Sequence, residues 1–169
     1  AGGHTILSAL DLAIAPGEHV AIVGPSGAGK SSLAGLLLGW HRAAAGRVCV
    51  DGVDLATPGE LEALRARTAW VDPEVQLWNR SLFDNLRYGN DDAALGPDAM
   101  SDVMARADLK GVVESLPTGL QTPLGDSGAF LSGGQGQHVR LARAELRNDV
   151  GLVILDEAMR GLDRAERGR

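Results

Sequence analysis

Residues 24–31 read Gly24-Pro25-Ser26-Gly27-Ala28-Gly29-Lys30-Ser31, a full match to the P-loop pattern G-x-x-x-x-G-K-[ST]. Few short patterns constrain a fold more. Its glycines let backbone N–H groups turn inward and approach an anion closely. The helix that follows points its positive N-terminus at the same place. Lys30 can then reach the β- and γ-phosphates of a nucleotide, and the Ser31 hydroxyl, followed by Ser32, can ligate Mg²⁺. The flanks agree with the motif. His19-Val20-Ala21-Ile22-Val23 predicts a short apolar strand before the loop, and Ser32–Leu38 predicts an apolar helix after it. The pattern therefore predicts nucleotide binding.

Composition narrows the partners. The 169 residues carry a net charge of −6, which leaves no basic footprint for nucleic acid. Aromatic residues are 4% of the chain, too few for a base-stacking platform. No Lys/Arg cluster marks a membrane surface. No apolar run reaches the roughly 18 residues that span a bilayer, and no basic-then-apolar leader opens the sequence. The lone cysteine, Cys49, excludes a disulfide within the chain, fits a reducing compartment, and reads as a buried thiol in a strand.

The pattern along the chain alternates strands and helices. Ile6–Ile14 alternates apolar with small or polar residues, as a half-buried strand does. Gly46–Gly52 reads as a strand ending in an Asp-Gly turn. Thr57-Pro58-Gly59-Glu60 has the form of a capping box with Pro at the first helical position, opening a helix to about Arg65. Thr68–Val71 is a strand, and a mostly helical stretch runs from Ser81 to Ser115 with a break near Gly89–Gly96. Leu116–Phe130 is loop-like; Ser132-x-x-Gln135 is a second capping box opening a helix to about Arg147. Gly151–Leu155 is a continuous apolar run, expected to be a strand buried on both faces. The sum is an α/β core around the P-loop with a helical insertion.

Two further motifs carry chemistry. Leu155-Asp156-Glu157 places carboxylates at the C-terminal end of a strand, where α/β sheets bind ligands. Asp156 would hold Mg²⁺ through water, and Glu157 would act as general base on the attacking water. In Leu131-Ser132-Gly133-Gly134-Gln135 a hydroxyl, glycine amides and a helix N-terminus make a second anion site.

P-loop, then Leu131–Gln135, then Leu155–Glu157, in this order, resembles the nucleotide-binding domain of ABC transporters. Leu131–Gln135 is similar to that family's signature motif, and Gly161-Leu162-Asp163 to its D-loop, which implies a subunit contact for Asp163. Ser81–Gly89 and Leu116–Asp126 look like exporter-type cassettes. The resemblance covers nearly the whole chain. It implies a P-loop NTPase fold with a mostly parallel sheet and N-terminal antiparallel β elements. A helical subdomain, about 81–147, would carry the signature within one ATP-binding cassette, 1–169. It implies ATP and Mg²⁺ as ligands, and a second cassette paired head-to-tail so that each P-loop faces the other's signature. It also implies a transmembrane partner domain and a place on the cytoplasmic face of the membrane.

The departures matter as well. The family's Q-loop Gln aligns with Pro73, and Gln76, three residues later, is the candidate replacement. Gly136 and His138 stand where the family usually has Arg, and Ser32 replaces a usual Thr. A switch His would fall beyond Arg169, and an adenine-stacking aromatic at or before residue 1, for which His4 is a poor substitute; His19, His41 and His138 lie in the wrong places for the switch role. The expected function is thus an exporter's ATPase motor, the chain being the core of a longer transporter. A non-transport ABC-type ATPase in DNA repair or translation, or a weakly hydrolysing regulatory cassette, are the alternatives. Intact Lys30, Asp156 and Glu157 favour hydrolysis.

Overall fold

The computed structural model describes residues 5–72, 74, 76–90 and 96–157. The chain divides after Ala66 into two compact units.

In the first unit residues 5–23 form no helix or strand before the P-loop, and helix α1 (Lys30–Leu37) follows it. An antiparallel hairpin follows, β1 (Cys49–Val50) and β2 (Val53–Asp54), with Val50 opposite Val53. Its two-residue turn is Asp51-Gly52, both at positive φ (51° and 81°), the conformation that matches the twist of paired strands. Helix α2 (Glu60–Ala66) closes the unit, and Arg65 Nε donates to the Leu38 carbonyl at 2.7 Å, satisfying one of the free acceptors at the end of α1.

Four expectations fail in this unit. Neither Ile6–Ile14 nor His19–Val23 forms a paired strand, and both are largely exposed, with Leu12 at 46% and Val23 at 89%. Among the described residues of this unit the one ladder is the short β1–β2 hairpin, and neither segment pairs along it. Cys49 is exposed rather than buried, because a two-stranded hairpin has no second layer above it. The Thr57–Glu60 segment is a turn, with the Glu60 N–H donating to the Thr57 carbonyl at 3.2 Å, and the helix starts only at Glu60. Gly59 sits at φ +87°, incompatible with a first helical turn, and Pro-Gly at the two central positions is the composition of a type II turn.

The second unit pairs β3 (Thr68–Val71) in parallel with β4 (Leu152–Leu155), Val71 lying opposite Leu155. Between them in sequence come α3 (Leu82–Arg87), α4 (Pro97–Arg106), α5 (Lys110–Ser115) and α6 (Gly133–Glu145), with short 3₁₀ turns at Gly119–Gln121 and Asp126–Gly128. One apolar core joins these helices, built on fully buried Leu82, Leu86, Leu109, Leu124, Val139 and Ala142. α6 packs on both α3 and β3. The break near Gly89–Gly96 falls between α3 and α4, as the glycines there predict; residues 91–95 lie outside the described residues. β3 is nearly all buried, but β4 is not: Val153 and Leu155 are 56% and 54% exposed. The expected burial of β4 on both faces therefore fails: Val153 and Leu155 lie on one face, and among the described residues that face is left exposed.

Candidate functional site

In the first unit, the P-loop is built by its glycines. Gly27 and Gly29 take φ of +80° and +92°, which side-chain-bearing residues rarely adopt, and a Cβ on Gly29 would stand 2.9 Å from Ile6 Cγ2 and Leu7 Cδ2. The loop is tightened by the Ala28 N–H, which donates to the Pro25 carbonyl at 3.2 Å. The first i→i−4 bond of α1 is made by Leu33 to the Gly29 carbonyl at 3.0 Å. The amides of Lys30, Ser31 and Ser32 therefore precede any intrahelical acceptor, as the opening turn of a helix requires. Lys30 Nζ arches back and donates to the carbonyls of Gly24 at 3.0 Å and Pro25 at 2.9 Å. An ammonium has three donors, so this closure leaves one to spare. The Ser31 side chain is exposed beside it. The sequence expectation placed Gly24, Pro25, Ser26, Gly27, Ala28, Gly29, Lys30, Ser31 and Ser32 in one cradle, and the structure keeps them in one exposed to half-buried loop and helix start. The group is made of backbone donors and a cation, which is the chemistry an anion requires.

In the second unit, Ser132 is the N-cap of α6 and its capping box is complete. Ser132 Oγ accepts the Gln135 N–H at 3.2 Å, and Gln135 Oε1 accepts the Ser132 N–H at 2.9 Å. Capping uses the hydroxyl as acceptor and leaves its O–H free to donate. Ser132 and Gly133 are exposed, while Gly134 and Gln135 are half-buried. The motif thus presents a donor hydroxyl and the first amides of a 13-residue helix to the outside.

The acids lie at the C-terminal end of β4. The Asp156 N–H continues the ladder by donating to the Val71 carbonyl at 2.9 Å, so Asp156 and Glu157 stand beside the end of β3. Glu157 adopts φ +46°. There the sequence reading missed Asp72. It follows β3 as Asp156 follows β4, and that shared position at parallel strand ends was the available signal. Burial, with the nearby negative charges of Asp156, Glu74 and Glu157, raises the Asp72 pKa above its ordinary value, and the Glu74 N–H at 2.6 Å opposes this. On α6, burial lowers the pKa of the Arg140 guanidinium, and the attraction of Asp72 works against that shift. Arg140 Nη1 lies 3.1 Å from where a Cβ on Gly136 would be, so the glycine makes room for it.

The reading also missed Arg143 and Asn85, both buried on the facing sides of α6 and α3. Arg143 follows Val139 and Ala142 at helical spacing on the buried face, a legible signal. Gln76 is exposed, whereas Pro73 and Asp163 lie outside the described residues. Among the described residues no helix is long and apolar enough to cross a membrane.

Comparison with known proteins gives one answer. The family model described as ABC transporter matches residues 7–160. The "ATP-dependent lipid A-core flippase" of Chromobacterium violaceum is 44% identical over 157 residues, covering 93% of this chain and 26% of the flippase. The flippase of the same name from Neisseria meningitidis serogroup A is 41% identical over 161 residues, covering 95% of this chain and 25% of its own. The solved structure of a bacterial Atm1-family ABC exporter with ATP bound has a TM-score of 0.77 and 32% identity, over 85% of this chain and 25% of the exporter. The chain spans about a quarter of the length of the relatives it matches.

Proposed function

The chain belongs to the ABC transporter family and has its α/β P-loop NTPase fold, and we propose that it is the ATP-hydrolysing motor of an exporter. The observation that carries this reading is the coexistence of two anion-ready helix starts. One is the Lys30-closed P-loop and the other is the capped Ser132 turn. One triphosphate needs only one such cradle, so the second is best used on another molecule's nucleotide. The working unit is accordingly a head-to-tail pair of cassettes, with Ser132, Gly133, Gly134 and Gln135 of one facing the P-loop of the other. Asp163 contacts the partner cassette. The helical stretch, about 81–147, acts as the subdomain that carries the Ser132 motif.

In each site the P-loop amides and Lys30 bind the β- and γ-phosphates and orient the terminal one for in-line attack. Glu157 accepts the proton of the attacking water. Ser31 and Asp156 offer a hydroxyl and a carboxylate, hard oxygen donors that suit Mg²⁺. When bound there, Mg²⁺ would neutralise charge on the phosphates. The motor works on a transmembrane domain at the cytoplasmic face of the membrane, and both the flippases and the exporter support that setting over a DNA-repair or translation role.

The test is ATP turnover per molecule of this chain against its concentration. A turnover that is slow and rises with concentration is expected of cassettes that must meet without a membrane domain to hold them together. A fast turnover independent of concentration overturns the paired site.

A further inference from the structure

Behind the exposed Ser132 turn, α6 is anchored by an ion that the chemistry above does not use. Arg143 is 7% exposed, and each of its three guanidinium nitrogens donates a hydrogen bond. Nε donates to the Asn85 carbonyl at 2.8 Å, Nη2 to Asn85 Oδ1 at 3.1 Å, and Nη1 to the Gln76 carbonyl at 3.0 Å. Asn85, 1% exposed, works on the same loop. Its Oδ1 accepts the Trp78 N–H at 2.9 Å, and its Nδ2 donates to the carbonyls of Trp78 at 3.0 Å, Arg80 at 3.3 Å and Ser81 at 3.0 Å. The guanidinium carbon lies 5.0 Å from the Trp78 ring centroid and 5.6 Å from that of Tyr88, and the two rings are themselves 4.0 Å apart.

Burying a cation here is costly: desolvation and the nearby Arg140 charge depress the Arg143 pKa to about 10. An apolar side chain of similar volume would fill the same space without that cost. What an apolar residue lacks is the ability to hold loop carbonyls to a helix. In sequence the held loop lies between the end of β3, beside Asp72 and Asp156, and α3. Its exposed Gln76 side chain stands on a backbone whose carbonyl Arg143 fixes.

We propose that Arg143 is a positioning residue that fastens the 76–81 loop to α6, so that the loop and the Ser132 turn move as one body. Nucleotide engaged at Ser132 is then felt at Gln76, and displacement of the loop is felt at Ser132. This rests on the ATPase reading above.

The test is segment-resolved hydrogen–deuterium exchange on the intact protein with and without ATP and Mg²⁺, for wild type, Arg143→Met and Arg143→Lys. In wild type, nucleotide should slow exchange in 24–32, 132–140 and 76–81 together. In Arg143→Met the response at 132–140 should persist while that at 76–81 is lost. Turnover should fall on the order of ten-fold, less than the roughly 100-fold that a 1 Å misplacement can cost, with KM for ATP nearly unchanged. Arg143→Lys keeps the buried charge but not the fork, and should restore part of the 76–81 response even if the Met variant does not fold. A purely structural role predicts the reverse, with Met restoring stability and leaving the three responses linked; that result overturns the proposal. So does a wild type whose 24–32 and 132–140 segments respond to ATP while 76–81 does not. A wild type with no response at 24–32 removes the nucleotide reading, and the proposal with it.

Discussion

Asp156 and Val71 are joined by a backbone hydrogen bond of 2.9 Å, one step beyond the last paired residues of β3 and β4. That bond sets the ends of the two parallel strands side by side and makes Asp72 a neighbour of the Asp156–Glu157 pair. The chain therefore gathers three carboxylates at the strand ends where its sequence displays two together.

Asp72→Asn should stabilise the protein at neutral pH, measured without nucleotide or divalent cation. The Asp72 pKa is raised in the folded state above its ordinary 3.8, by burial first and then by Asp156, Glu74 and Glu157. Below the ordinary value the carboxyl is protonated in both states and costs nothing. As pH rises past it, the unfolded chain gains more from ionisation than the folded one, so stability falls. Wild type and variant should melt together near pH 3, and the variant should melt higher at pH 7. A lower melting temperature at pH 7 would show that attraction between Asp72 and Arg140 outweighs burial and repulsion together.

Lys30→Ala should weaken ATP binding by about 2 kcal/mol or more, on the order of 30-fold in Kd. The change removes the charge for the terminal phosphates and also the two bonds that close the loop on Gly24 and Pro25. Calorimetric titration with ATP checks this, and an unchanged Kd would remove the loop from the binding site.

Glu157→Gln should leave ATP binding near wild type and slow hydrolysis by roughly 100-fold or more, the loss expected when a positioned base is removed. Single-turnover measurement with bound ATP separates the two steps. Hydrolysis within a few-fold of wild type would assign the base elsewhere.

Ser132→Arg should act on the partner rather than on its own molecule. The residue is exposed at the α6 N-cap, and its hydroxyl accepts one local capping bond, from the Gln135 N–H. ATP binding by the monomer should survive, while nucleotide-dependent pairing, followed by light scattering, should be blocked. Loss of ATP binding by the monomer itself would contradict a site shared between two cassettes.

What was legible in the sequence was local. The P-loop, the Asp-Gly hairpin turn and the Ser132 capping box each lie within a few residues, and backbone sterics and short-range hydrogen bonds decide them. The same local reasoning misplaced the start of α2, because Gly59 chose a turn over a helical cap. It also misjudged burial, leaving Cys49, Val153 and Leu155 on the surface, since burial depends on which element covers a strand rather than on how apolar the strand is.

The sequence by itself determined the family and the order of its glycine-rich and acidic motifs along the chain. Only the tertiary structure decided that Asp72 joins the acids and that Arg143 grips Asn85, 58 residues away along the chain. The reason is physical: such contacts arise where a parallel strand pair and a helix–helix packing bring distant segments together, and no periodicity or spacing in either segment encodes the partner.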